Sequence, residues 1–304
     1  MKKISLLLIF IIILGIKDMS AQQDPQYTQY MYNMNVMNPA YAGSKESLSI
    51  TGLYRTQWSG LDGAPETITF SAHSPITDRM GLGLSAIKDE LGPISETNVY
   101  VDFSYTLPMG ENLKLALGIK AGATFHDVGL TSLELQDPGD PFFSENIDNV
   151  YPNVGAGAFL YSDKFYLGLS VPNFLNSLHL DENGLQYGSE TQHFFATAGY
   201  VFQINDNFKL KPSVMVKSAF ETPVSFDGNL NALFFDKFEI GASYRLDDSF
   251  SGIVGFQVTD FLRIGYAYDH ITSELKGVGS ASHEVVLTFD IFFKPRVMHS
   301  PRFF

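Results

Sequence analysis

The 304-residue chain contains no cysteine, which excludes a disulfide framework, a thiolate metal site and a cysteine nucleophile. Charge is scarce: 17% of residues are Asp, Glu, Lys or Arg, against about 25% in an ordinary soluble domain. What charge there is leans negative, with 20 Lys and Arg against 33 Asp and Glu and a formal net charge of −13. That balance argues against nucleic acid as a partner, because phosphate binding needs clustered cations. Beyond the first residues no stretch is long and apolar enough for a membrane helix, which needs about 20 such residues. Helical periodicity of any length is also missing, which argues against an α/β enzyme. Neither Gly-x-Ser-x-Gly nor His-Glu-x-x-His occurs. Gly81-Leu82-Gly83-Leu84-Ser85 is a glycine-rich strand and not a nucleotide loop, since no helical pattern follows it. His73, His126, His179, His193, His270, His283 and His299 are scattered along the chain, and the acidic loops lack the spacing of a calcium hand. No catalytic group, metal or cofactor is expected.

What is abundant is apolar and aromatic. Hydrophobic residues make up 45% of the chain, with 26 Phe, 15 Tyr and 26 Gly, too apolar a composition for disorder. Lys2 and Lys3 precede the apolar run Ile4–Ile16, and Met19-Ser20-Ala21 offers a small-residue cleavage site ahead of Gln22. This is the layout of a secretory signal peptide over residues 1–21; the other reading of the run is an uncleaved anchor. No cysteine follows the cleavage site, so lipidation there is excluded.

From residue 48 onward the apolar period is two, the mark of strands with one apolar face. Leu113, Leu115, Leu117, Ile119, Ala121, Ala123 and Phe125 alternate with Lys114, Ala116, Gly118, Lys120, Gly122 and Thr124. Fourteen such segments are predicted: about 48–58, 66–74, 80–89, 97–107, 112–125, 151–161, 165–171, 193–202, 208–218, 225–235, 238–245, 249–259, 261–268 and 282–293. The even count and the segment lengths predict an all-β transmembrane antiparallel β-barrel over residues 48–293, with lipid on its apolar face. Connections after even-numbered strands are short, whereas His126–Val150 and Pro172–Gln192 are long, acidic and free of Lys and Arg. Outer-membrane barrels put short turns in the periplasm and long loops outside. Both termini, including the tail 294–304, are then expected on the periplasmic side. The competing architecture is a soluble sandwich or jelly roll, which would carry more charge on its polar register.

That polar register holds glycines (Gly81, Gly83, Gly118, Gly122, Gly155, Gly157, Gly168, Gly199, Gly241, Gly255, Gly265) suited to a crowded lumen. It also holds Arg55, Lys114, Lys120, Lys209, Lys211, Lys217, Arg245 and Arg263 against Asp102, Asp227, Glu239, Glu284 and Asp290. Lys114 and Lys120 are both expected beside Asp102. These charges could form a salt-bridge web, line an ion-selective pore, or make a polar socket for a polypeptide. Tyr54, Trp58, Phe125, Tyr161, Phe165, Tyr200, Phe202, Tyr266 and Tyr268 sit near strand ends, where interfacial aromatic girdles belong. His283 and Glu284, as sequence neighbours, must point to opposite faces.

Residues 22–47 do not alternate; they are rich in Gln, Asn, Tyr and Met and nearly free of charge. They are read as a periplasmic lead-in or as a segment folded into the lumen. Gln26-Tyr27-Thr28-Gln29-Tyr30-Met31, Asn38-Pro39-Ala40-Tyr41-Ala42-Gly43, Tyr54-Arg55-Thr56-Gln57-Trp58, Gly63-Ala64-Pro65-Glu66-Thr67 and the terminal Gly279-Ser280-Ala281-Ser282-His283-Glu284-Val285 resemble the PorP/SprF family. The likeness runs the length of the mature chain. It implies an outer-membrane protein associated with the type IX secretion system of Bacteroidetes. It further implies a part in exporting or anchoring a large surface adhesin through that adhesin's C-terminal signal domain. Other secretion or gliding components of the envelope would be partners, with membrane lipid around the barrel. Within these motifs Asn38, Pro39, Ala40, Tyr41, Gly43, Arg55, Gln57, Trp58, Pro65, His283 and Glu284 are the candidate site residues. Arg55 and Trp58 are the first choice for positioning the N-terminal segment. The alternative function is a porin or a channel for small solutes or hydrophobic ligands.

Two expectations follow. Single cysteines at Asp137 or Glu182 should react with an impermeant thiol reagent on intact cells, and those at Asn205 or Met109 should not; the reverse pattern would invert the barrel. On the fifth strand Leu117→Arg should disturb assembly, whereas Gly118→Ser, on the lumen register, is expected to be mild.

Overall fold

The computed structural model describes residues 26–133, 144–175, 181–182, 185–186, 192–219, 224–273 and 281–292. The leader 1–21, the tail 294–304 and Asp137 lie outside them. The strands are β1 (Ser47–Thr56), β2 (Glu66–Pro75), β3 (Met80–Leu91), β4 (Ile94–Pro108), β5 (Lys114–Val128), β6 (Ile147–Tyr161) and β7 (Phe165–Val171). Beyond them run β8 (His193–Tyr200, continued past Val201 as Phe202–Asn205), β9 (Phe208–Ala219), β10 (Ser225–Phe234), β11 (Phe238–Arg245), β12 (Ser249–Gln257), β13 (Leu262–Ile271) and β14 (Ala281–Phe292). Each strand pairs antiparallel with its sequence neighbours, and β1 pairs with β14 from Ser47↔Phe292 to Thr56↔His283. The protein is a closed 14-strand antiparallel barrel. A two-residue ladder, Asp181–Glu182 with Leu185–Gln186, decorates the β7/β8 connection.

The barrel is inside out relative to a soluble protein. On β5 the outward Leu117 and Ile119 are 49% and 63% exposed while the inward Lys120 is 2% exposed. A wall of exposed Leu, Ile, Val and Phe on every strand but β1, which contributes Tyr54, is stable only where the solvent is lipid. This is the outer-membrane fold, and among the described residues no helix is long and apolar enough to cross a membrane. Tyr54, Phe125, Tyr200, Phe202, Tyr266 and Tyr268 lie exposed on the outer wall, as girdle residues should. Tyr161 does not: it faces the lumen and packs against Phe159, with ring centroids 5.2 Å apart.

β4, β5 and β6 are each 15 residues long, about 50 Å at the usual rise per residue, roughly twice the height of an apolar barrel belt. The predicted strands stopped where Glu96, Asp127 and Asp148 interrupt the apolar pattern. Those residues belong to a ladder that continues beyond the lipid on the long-loop side: Asp127 and Asp148 point outward, where polar positions cost nothing, and Glu96 points inward, 3.6 Å from His126. The β5/β6 loop is correspondingly shorter than His126–Val150. Lys120 pairs with Asp102 across β4 and β5, but Lys114 lies opposite Pro108 at the turn end and is not beside Asp102.

The lumen is filled by residues 26–46. A 3-10 turn (Tyr30–Tyr32), one helical turn (Met34–Met37) and a second 3-10 turn (Pro39–Tyr41) pack its interior. The wall glycines make this possible. A Cβ on Gly118 would run into Pro39 and the backbone of Ala40, one on Gly81 into Ala42, and one on Gly157 into Asn38. Gly118→Ser is therefore not mild. It should lower the folded, heat-modifiable fraction on gels about as much as Leu117→Arg, whose cost near the bilayer midplane is about 2–4 kcal/mol. A normal folded yield for Gly118→Ser would contradict the packing of the segment against β5.

Candidate functional site: an ionic latch on a lumen plug

Four sets of contacts hold the plug. The first is a carboxylate and guanidinium cradle at the long-loop end. Glu284 on β14 accepts the backbone N–H groups of Thr28 and Gln29 on its two oxygens, at 2.9 and 2.7 Å. Arg55, opposite Glu284 across the β1/β14 pair, meets Glu284 at 3.2 Å and Asp269 on β13 at 2.7 Å, and donates to Thr28 Oγ1 at 3.1 Å. The Thr28 hydroxyl faces both oxygens of Asp269, at 2.8 and 2.9 Å. Arg245, paired with Asp227 at 2.6 Å, reaches the Tyr27 carbonyl at 3.5 Å. Arg55, Asp269 and Glu284 are essentially sealed from solvent, so each charge is compensated by its neighbours and by plug amides rather than by water.

Below this, Tyr32 lies under the Arg263 guanidinium, 3.8 Å from the ring centroid, with Lys211 Nζ 5.1 Å away. Its hydroxyl donates to Glu239 at 2.5 Å, and Glu239 also pairs with Arg263 and accepts from Asn231. A third set joins Asn35 to Asp102 at 3.0 Å and Lys120 Nζ to the Val36 carbonyl at 3.0 Å. Near the turn end, the Asn38 side chain caps the second 3-10 turn by accepting from Ala40 N at 3.0 Å, and donates to the Ala158 carbonyl at 3.1 Å. Pro39 starts that turn with the φ it requires. Tyr41 stacks edge-on against His73 and Phe159. Gly43 reverses the chain at φ +69, a conformation costly for any residue with a Cβ, and Lys45 closes the set on Asp290 at 3.1 Å.

Seven of the sequence-predicted residues thus converge on the plug: Asn38, Pro39, Ala40, Tyr41, Gly43, Arg55 and Glu284. Four do not. Gln57 and Pro65 join by a backbone hydrogen bond across the β1/β2 loop. Trp58 sits in the same loop, two residues past the end of β1, at φ +48, where its N–H meets Ser282 Oγ and not the plug. His283 faces outward and bonds the Tyr266 hydroxyl at 2.8 Å. Asp269 was missed because the predicted strand stopped at residue 268. The alternation Arg263, Gly265, Ala267, Asp269 carries the inward register one step further and would have included it. The plug partners Thr28, Gln29, Tyr32 and Asn35 have no periodic signal, because irregular backbone carries none.

The glycine-lined wall, the Asn-Pro-Ala-Tyr-Ala-Gly plug and its latch run from one end of the chain to the other. The same span answers to one family: the profile of the type IX secretion system membrane protein PorP/SprF matches residues 19–289. The chain belongs to the PorP/SprF family. No curated protein matches it significantly. Among solved structures, CymD, a monoaromatic hydrocarbon channel, superposes with a TM-score of 0.54 at 11% identity, covering 88% of this chain and 94% of that one. The toluene transporter TodX of P. putida gives 0.50 at 10% identity, covering 87% and 95%. At such identities the likeness is one of fold alone. The family and the fold are those of an outer-membrane, secretion-associated barrel.

Arg55→Met should remove the counter-charge of two buried carboxylates at once. The loss of a buried ion partner typically costs about 3–5 kcal/mol. A drop of that order in unfolding free energy of the barrel in lipid vesicles is expected, with Trp58→Ala nearly silent. Equal, small effects of the two would remove Arg55 from the latch.

Proposed function

We propose that this PorP/SprF barrel is a sealed binding component of type IX secretion, helping to export or anchor a large adhesin-type substrate at the cell surface. The observation that carries this reading is the filled lumen. Residues 26–46 occupy the space a solute would need and hold it through buried ion pairs. What remains for function is the two ends of the barrel. The long-loop end carries acidic positions, among them Asp127, Glu145 and Asp148, a surface suited to the C-terminal signal domain of a secreted substrate. The turn end is the side that meets the envelope components of the machinery, and the tail residues Lys294, Arg296 and Arg302 are suited by their charge to such contacts. The alternative, a small-solute or hydrophobic-ligand channel, requires the plug to leave.

Deleting the gene should abolish surface display of one partner adhesin, measured by antibody binding to intact cells, while other type IX substrates are still secreted. An unchanged display of every adhesin in the deletion strain would defeat the adhesin reading and favour the channel.

A further inference from the structure

The long-loop end of β6 is a sheet edge. On one side β6 keeps its ladder with β5 along its whole length, from Lys114↔Tyr161 to Val128↔Ile147. On the other side its ladder with β7 ends at Ala156↔Val171, and Pro172, which follows, has no N–H to carry it on. One further bond, from the Phe174 N–H to the Val154 carbonyl at 2.8 Å, fixes which way the β6 backbone points there. Every second residue of a strand directs its N–H and C=O to the same side. Pro152, Val150 and Asp148 therefore turn theirs away from β5, and among the described residues no strand takes them up. Pro152 fits that assignment, since a sheet tolerates proline where the missing N–H faces an edge.

The edge also has a charge. Asp127 and Asp148 are direct partners across β5 and β6, and both are exposed on the outer face. Like charges directly opposite one another are unfavourable, and residues 121–133 and 144–156 contain no Lys or Arg to offset them. We propose that the free edge of β6 at Asp148–Pro152 receives an extended segment of another polypeptide, which adds as a strand and carries Lys or Arg on its outward face. The residue opposite Asp148 on the added strand shares the outward face and brings its cation beside the carboxylate pair. Val150 offers an N–H and a carbonyl, and Pro152 a carbonyl; such main-chain bonds supply affinity, and the carboxylates select the partner. A second copy of this chain is the wrong occupant, because pairing two β6 edges would set two acidic faces side by side. This partner presupposes the binding role proposed above, and adhesin display in the deletion strain tests that role separately from the edge.

The purified full-length barrel in detergent micelles is titrated into a short fluorescent peptide of alternating Lys and Thr, or of alternating Glu and Thr, and fluorescence anisotropy is read at physiological salt. The expected result is saturable binding of the Lys peptide alone. Val150→Pro removes an edge N–H without touching the β5 ladder and should weaken binding about tenfold, the size of a lost hydrogen bond; Asp148→Asn should weaken it as well. Heat-modifiable migration verifies that each variant is folded, and Asp148→Pro, read against Asp148→Asn, replaces Val150→Pro if that variant fails to assemble. No saturable binding, equal binding of the Glu peptide, or binding that the proline variant leaves unchanged would overturn the proposal, the last because charge attraction without strand addition would explain it.

Discussion

The structure depends on one interaction: a single carboxylate, Glu284, that binds two consecutive plug amides while facing Arg55 across the strands where the barrel closes. β1 and β14 are the first and last strands, so their pairing is the step that turns a sheet into a barrel. Arg55 and Glu284 are direct partners in that ladder. Without the plug Glu284, Asp269 and Arg55 would face a water-filled lumen; with it they are sealed from water and compensated by one another and by plug groups. A charge removed from water is tolerated only when hydrogen-bonded and paired. Closure of the wall and occupation of the lumen are thus favoured by the same contacts, and the plug is part of the fold as much as an occupant of it.

The alternatives left open for the inward charges resolve into a combination. Pairs such as Lys120 with Asp102 and Arg245 with Asp227 connect adjacent strands, as a shape-holding web would. The same groups hold Val36, Asn35 and Tyr27, as a socket would. The polypeptide in the socket is the protein's own amino-terminal segment. The glycines on that register are the steric counterpart: where the wall must meet plug backbone, at Gly81, Gly118 and Gly157, a side chain has no space.

The barrel was legible in the sequence because lipid outside and polar lumen inside impose a strict two-residue alternation, which survives even where single residues vary. Strands 165–171 and 238–245 agree with the predicted bounds to the residue. Legibility failed in two places for physical reasons. Outward charge ended the predicted β5 and β6 early, and inward Glu96 ended β4, although a ladder above the lipid needs no apolar face. The plug was visible only as a stretch without period, so its depth, its direction and its contacts with Asp269 and Tyr32 had no local signal. Motif residues coincide with the plug at Asn38–Gly43 but could not separate Arg55, which faces the lumen, from Trp58, which lies beyond the end of its strand.

The central claim is that the lumen is sealed by residues 26–46. It is tested most directly by single-channel recording of the purified full-length barrel in planar bilayers. The account predicts no steady conductance from the intact protein, and steady conductance when Arg55→Met loosens the latch. Steady conductance from the intact protein, unchanged in the Arg55 variant, would contradict it.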